Sequence, residues 1–308
     1  MPGVGERPPS VDAPVVSVVI PSVNGLPAIA DCLDALDRQE GNVPAQVVVA
    51  DRCGEAVRAV LRERFPHALI LAAPPGASIP ALRTLGIARA RAPLVAIIED
   101  HCNVGASWLL TIERARRGGH PVIGGAVENG SVERVVDWAA FFCEYARFMP
   151  PLKGGPVAEV TGNNVVYDRA TLDAAGSDDA SGSWEFFLHA RLKERGVPFH
   201  CEPELLVSHR KVFGFAYFLA QRYHYSRSFA GARLRGAPLW KRAFYAAATP
   251  LLPPLLFVRI AREVAPRRRY WGRFVQAAPI LALFLCSGAW GEASGAVAGP
   301  GDSLRRVE

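Results

Sequence analysis

Seven consecutive segments near the start of the chain alternate between two patterns, and this alternation constrains the fold more than any other feature. Residues 15–20 are a β-branched apolar run ahead of Pro21 and read as a buried strand. Residues 27–38 carry Ile29, Cys32, Leu33 and Leu36 at helical spacing. The alternation then predicts a strand over 47–50, a helix over 55–65, a strand over 68–72, a helix over 79–91 and a strand over 94–98. Uniformly apolar strands separated by helices form a parallel sheet covered on both faces. Ligands of such sheets bind beyond the carboxyl ends of the strands, so polar residues there are the first candidates for chemistry.

With 308 residues, the chain allows one large domain or one domain with an appendage. Half of the residues are hydrophobic and 21% are charged, which excludes a disordered or fibrous chain. A net charge of +6 favours an anionic partner. The basic residues cluster beside apolar runs rather than along a groove-reading helix, which argues against nucleic acid. No two of the six cysteines form a Cys-x-x-Cys pair, so they read as buried thiols rather than a zinc or redox motif. Residues 1–14 are rich in Pro and Gly, lack an apolar signal core, and read as a loose tail.

The strand ends carry distinctive residues. Pro21-Ser22-Val23-Asn24-Gly25 follows the first strand without a Gly-x-Gly-x-x-Gly, and there is no P-loop. Asp51 follows the second strand. Glu99-Asp100-His101 follows the fourth, with Asn103 and Trp108-Leu109 after it. A carboxylate and an imidazole two residues apart at a strand end can face one divalent cation.

With Ala-Leu-Arg-Thr-Leu-Gly-Ile-Ala-Arg-Ala at 81–90, Thr161-Gly162-Asn163-Asn164, and Trp184-Glu185 ahead of Arg191-Leu192 and Gly196, this order resembles the nucleotide-sugar domain of family 2 glycosyltransferases. The resemblance runs to about residue 230. It implies an α/β GT-A fold, Rossmann-like with a mixed, mostly parallel sheet. It also implies sugar transfer with inversion from a nucleotide-diphosphate sugar to an acceptor hydroxyl.

The resemblance assigns roles that compete with plainer readings. Asp51 would hydrogen-bond the nucleotide base, or else cap the following helix. Arg83 would contact the diphosphate or ribose, or be a solvated helix arginine. Glu99-Asp100-His101 aligns with the family's Asp-x-Asp motif, and an Asp-x-His version occurs in glycosyltransferases acting on polypeptides. Glu99 and His101 would then be metal ligands, Asp100 a nucleotide-sugar contact, and His209 a further ligand. The cation would be Mn²⁺ or Mg²⁺, with imidazole favouring the former. Glu185 would be the general base, with Asp178 and Asp179 as rivals. Asn163 and Asn164 would line the sugar site, or serve turn chemistry. Gln221-Arg222 and Arg227 form a loose version of the family's Gln-x-x-Arg-Trp element.

The C-terminal third differs in kind. Residues 243–258 and 274–290 are uncharged runs flanked by arginines. At 1.5 Å per residue they reach only about 24–26 Å, short of the roughly 30 Å hydrocarbon core. Basic flanks on both sides of each run point to interfacial segments on the cytoplasmic face of a membrane. The expected division is a flexible tail (1–13), the GT-A domain (14–232), a basic and apolar membrane-associated segment (233–295) and a flexible tail (296–308). The acceptor would be a lipid or a glycan on a lipid carrier. The competing class is a non-catalytic nucleotide-sugar- or lipid-binding protein that kept the fold.

Overall fold

The computed structural model describes residues 13–176 and 185–307. Asp178, Asp179 and Trp184 lie outside the described residues, as does most of the expected N-terminal tail.

The alternation predicted from sequence is present: β1 (Val16–Ser22), α1 (Ala28–Asp37), β2 (Ala45–Asp51), α2 (Glu55–Arg64), β3 (Leu69–Ala72), α3 (Ile79–Ile87) and β4 (Leu94–Ile98). The chain continues through β5 (Cys102–Val104), α4 (Trp108–Arg116), β6 (Val122–Asn129), α5 (Val135–Tyr145), β7 (Gly155–Val157), β8 (Asn164–Asp168), α6 (Arg169–Ala175), α7 (Glu185–Glu194) and β9 (Phe199–His209). Four helices close it: α8 (Phe215–Arg233), α9 (Leu239–Ala248), α10 (Leu252–Val264) and α11 (Trp271–Ala298).

The nine strands of the described residues join one mixed sheet in the order β3-β2-β1-β4-β8-β6-β9-β5, with β7 also on β9. The first four strands pair in parallel, and β8 runs antiparallel between β4 and β6. Most boundaries shift by a residue or two from the sequence reading, and two of the shifts have a local reason. β1 runs through Pro21 to Ser22. Its pairing with β4 stops at Val19, so a missing amide beyond that point removes no bond on the open side. α3 ends at Ile87 rather than 91, because the Arg91 and Ala92 amides donate to Ser17 Oγ, at 3.0 Å each, and turn the chain into β4.

The C-terminal third is not a separate appendage. Phe274, Leu281 and Phe284 of α11 and Val264 of α10 belong to the same core as Ile20, Val49 and Phe142. The Phe218 and Phe284 rings lie 4.6 Å apart, joining α8 to α11. Small residues allow this contact: a Cβ at Gly291 or Gly295 would collide with the Tyr223 or Arg227 carbonyl of α8. The expected boundary at 232 therefore falls inside one packed unit. The tail expected to be mobile from 296 is also packed. α11 extends to Ala298, a 3₁₀ turn spans Ser303–Arg306, and Val307 is buried beside Ile79. Gln221 Nε2 donates to the Arg306 carbonyl at 2.9 Å.

Candidate active site

Beyond the carboxyl end of β4 the chain turns sharply into β5, which pairs antiparallel with the end of β9 and sets Cys102 opposite His209. This register brings together residues 108 positions apart: His101 Nε2 and His209 Nε2 face each other at 2.9 Å. Glu99 Oε2 lies 3.4 Å from His101 Nε2. The three donor atoms all lie within 4.8 Å of one another. Burial pushes the His209 imidazole well below its ordinary pKa, with His101 adding to the effect, so the ring is neutral at pH 7 and could offer a nitrogen to a cation.

Asp100 takes another place than the sequence suggests. Its carboxylate turns inward, fully buried, and accepts from the Val23 and Asn24 amides, each at 2.7 Å. It also lies 2.9 Å from His101 Nδ1. Burial raises its pKa, but His101 and the two amides outweigh this and hold it below the usual carboxylate range. Asp100 can accept from a proton-bearing Nδ1 of His101, which leaves Nε2 facing His209 and Glu99, the arrangement that commonly supports a metal-binding histidine.

Ser78 caps α3 by accepting from the Ala81 amide at 3.3 Å, and α3 carries Arg83 inward, 6% exposed rather than solvated. Arg83 Nη1 donates to Glu185 Oε2 at 2.5 Å and Nη2 to Glu99 Oε1 at 3.3 Å. Burial raises the Glu185 pKa, but the Arg83 charge and hydrogen bond, a backbone amide and His189 together lower it more, so the carboxylate is ionised at neutral pH. Gly162 leaves the room for this side chain: a Cβ there would fall 2.6 Å from Glu185 Oε1.

Arg83, Glu99, His101, Glu185 and His209 line one cavity of about 400 Å³. The two asparagines expected there do not line it. Asn164 enters the sheet, where its amide donates to the Ala126 and Leu205 carbonyls and accepts from the Trp108 indole. Asn163 Oδ1 accepts from Thr161 Oγ1 at 2.6 Å, and the residue is 2% exposed. Both are struts behind the wall. Asp51 also lies outside the lining, at the end of β2. It accepts from Ser22 Oγ at 2.8 Å and Arg58 at 3.1 Å, and from the Gly54 amide at the start of α2 at 3.3 Å.

The structure adds cavity residues that the sequence reading missed, among them Glu144, Tyr145 and His189. Glu144, in the last turn of α5, pairs with Arg222 at 3.3 Å. Burial raises its pKa, more than Arg222 lowers it. A lone acid at the end of the apolar run Ala-Ala-Phe-Phe-Cys was the available signal. The Tyr145 ring is tilted against His209, with centroids 4.8 Å apart. His189, one turn after Glu185, receives the Tyr167 hydroxyl at 2.6 Å.

No protein-family model and no curated protein matches this sequence. Solved structures do. The mannosyltransferase PcManGT from Pyrobaculum calidifontis, in complex with GDP-Man and Mn²⁺, aligns at a TM-score of 0.52 and 15% identity, over 91% of this chain and 87% of that one. Residues 1–349 of S. aureus TarS align at 0.50 and 12% identity, over 94% and 89%.

The chain has a GT-A-type glycosyltransferase fold. The alignments extend across nearly the whole chain, so the shared architecture includes much of the C-terminal helical region. At these identities they show the fold alone, and the site must carry the functional argument.

Proposed function

We propose that the protein is an inverting glycosyltransferase. It moves a sugar from a nucleotide-diphosphate sugar to an acceptor hydroxyl, with a divalent cation, Mn²⁺ or Mg²⁺, held by Glu99, His101 and His209. The observation that carries this reading is the convergence of these three ligand atoms with the Arg83–Glu185 pair in one cavity. The donor set fits a cation: two imidazole nitrogens and one carboxylate oxygen, with His101 oriented by a buried carboxylate. When bound, the cation neutralises charge on the departing diphosphate.

The remaining chemistry falls to side chains. Arg83 holds a positive fork between Glu99 and Glu185, and a bound diphosphate would draw it away from them. Glu185, ionised and released from Arg83, takes the proton from the acceptor oxygen as that oxygen attacks the anomeric carbon. Direct displacement inverts that carbon and needs one base. Asp51, at the end of β2, is the proposed contact for the nucleotide base. The neighbour solved with GDP-Man and Mn²⁺ supports this donor and metal class. Two helical stretches, Leu239–Val264 and Arg268–Ala298, are long and apolar enough to cross a membrane. They support contact with a membrane; the proposed location is its cytoplasmic face, and the proposed acceptor a lipid or lipid-linked glycan.

One observation favours the competing binding-only reading: the proposed base is closed off by Arg83 at 2.5 Å. Turnover decides between the two. Incubation with UDP- and GDP-sugars, with Mn²⁺ or with chelator, is expected to release nucleoside diphosphate only with metal. Tight nucleotide binding with no release from any donor would favour the binding protein.

A further inference from the structure

α11 is apolar on two opposite faces. Its inner face, including Phe274, Leu281, Phe284 and Leu285, is buried against α8 and α5. Its outer face is bare: Val275 is 56% exposed, Leu283 51% and Trp290 69%. A helix apolar all round requires cover on all sides, and large exposed apolar patches mark interaction surfaces. The bare surface continues along the neighbouring helices. Trp240 and Phe244 on α9 are 73% and 64% exposed, and Leu255 on α10 is 62% exposed. Spacings of three, four and seven residues put Phe244, Leu251, Leu255 and Val258 on one side of this rod.

We propose that α9, α10 and α11 form a single outward face that lies in the plane of an anionic lipid leaflet without crossing it. This deepens the membrane location proposed above and rests on no sugar chemistry.

Length does not exclude crossing: the 28 residues of α11 reach about 42 Å. Packing excludes it. The inner face of α11 lies on α8, which carries Arg222, His224, Arg227 and Arg233. Arg233 is bound to Glu292 of α11 at 2.7 Å. A spanning α11 would take these groups into hydrocarbon or strip its core contacts. The α9–α10 rod is interrupted by a 3₁₀ turn over Thr249–Leu251 and carries Arg259 and Arg262. An in-plane helix keeps its apolar side in the acyl boundary and its charged side among headgroups.

Charge selects the occupant. Residues 233–298 contain ten arginines and lysines against two acids, Glu263 and Glu292. Lys241, Arg259, Arg262 and Arg273 are exposed. A second copy of the same face would bring like charges together, whereas anionic headgroups complement them. Tryptophans at 240, 271 and 290 suit the level where headgroup meets acyl chain.

The test uses the full chain and vesicles of phosphatidylcholine, with or without thirty mole per cent phosphatidylglycerol, and reads co-flotation without any donor. The expected result is at least tenfold stronger binding to the anionic vesicles, weakened by salt. Leu255→Asp with Trp290→Asp is expected to reduce binding a further tenfold while leaving the melting temperature close to wild type. Reporter cysteines introduced singly at Arg235 and Arg268, with the partly exposed Cys53 and Cys143 and the exposed Cys286 replaced by serine, are expected to react with an impermeant reagent from the same side of the membrane. Three results would each overturn the proposal: no vesicle binding by the wild type, a wild-type dimer that the double substitution dissociates, or reporters labelled from opposite sides.

Discussion

Arg83 Nη1 lies 2.5 Å from Glu185 Oε2, a contact across 102 residues of sequence, while Nη2 of the same guanidinium reaches Glu99. One cation thus links the proposed base to a proposed metal ligand. Glu185→Gln retains the shape of the side chain and removes its basicity. Turnover is expected to fall about 10²-fold or more while donor affinity stays near wild type, measured by separating kcat from KM. Near-normal turnover would transfer the role to another carboxylate, of which Glu144 stands in the same cavity.

Gly162 has no positive-φ requirement; its constraint is space. An added methyl would displace Glu185, whose Cγ and Cδ crowd that position. Gly162→Ala is therefore expected to lower kcat by about tenfold or more through misplacement of the carboxylate, with nucleotide affinity retained. Calorimetry with UDP and GDP alongside steady-state kinetics separates this from a general loss of folding.

His189 links stability to pH. Burial holds its imidazole down at about 4, against an ordinary 6.5, and Glu185 offsets only part of this. Between these values the unfolded chain binds a proton that the folded chain does not. Stability from this group is complete above pH 6.5 and is lost as pH falls toward 4, by roughly 3 kcal/mol over the window. His189→Gln is expected to flatten that part of the stability profile, measured by denaturant titration at several pH values.

Phe284 tests whether the C-terminal helices belong to the fold. It is fully buried and packs on Phe218. Phe284→Ala is expected to cost about 3–5 kcal/mol. A change below 1 kcal/mol would restore the picture of a detachable C-terminal segment.

The parallel half of the sheet was legible because continuous apolar runs and helical spacing are local signals, and β4 ends where its residues suggest. The parts that escaped depend on distant partners. Nothing local in 271–298 shows that one face of α11 is covered by α8, since an apolar run reads alike against protein or lipid. In the site, Glu99, His101 and His209 were legible as strand-end residues with metal-binding side chains. Asp100 and Asn164 carry the same polar signal, yet their partners are the Asn24 amide and the Ala126 carbonyl, groups that only the folded sheet brings near. Polar identity at a strand end does not tell a residue that faces the cavity from one that braces the wall.

The central claim is that Glu99, His101 and His209 hold a divalent cation that binds together with a nucleotide. Isothermal titration of UDP and of GDP into the wild type and His101→Ala, each with Mn²⁺ and with chelator, tests it most directly. One nucleotide is expected to bind the wild type at least tenfold more tightly with Mn²⁺, and the substitution is expected to abolish this difference. Equal affinity with and without Mn²⁺ in the wild type, or an unchanged metal effect in His101→Ala, would contradict it.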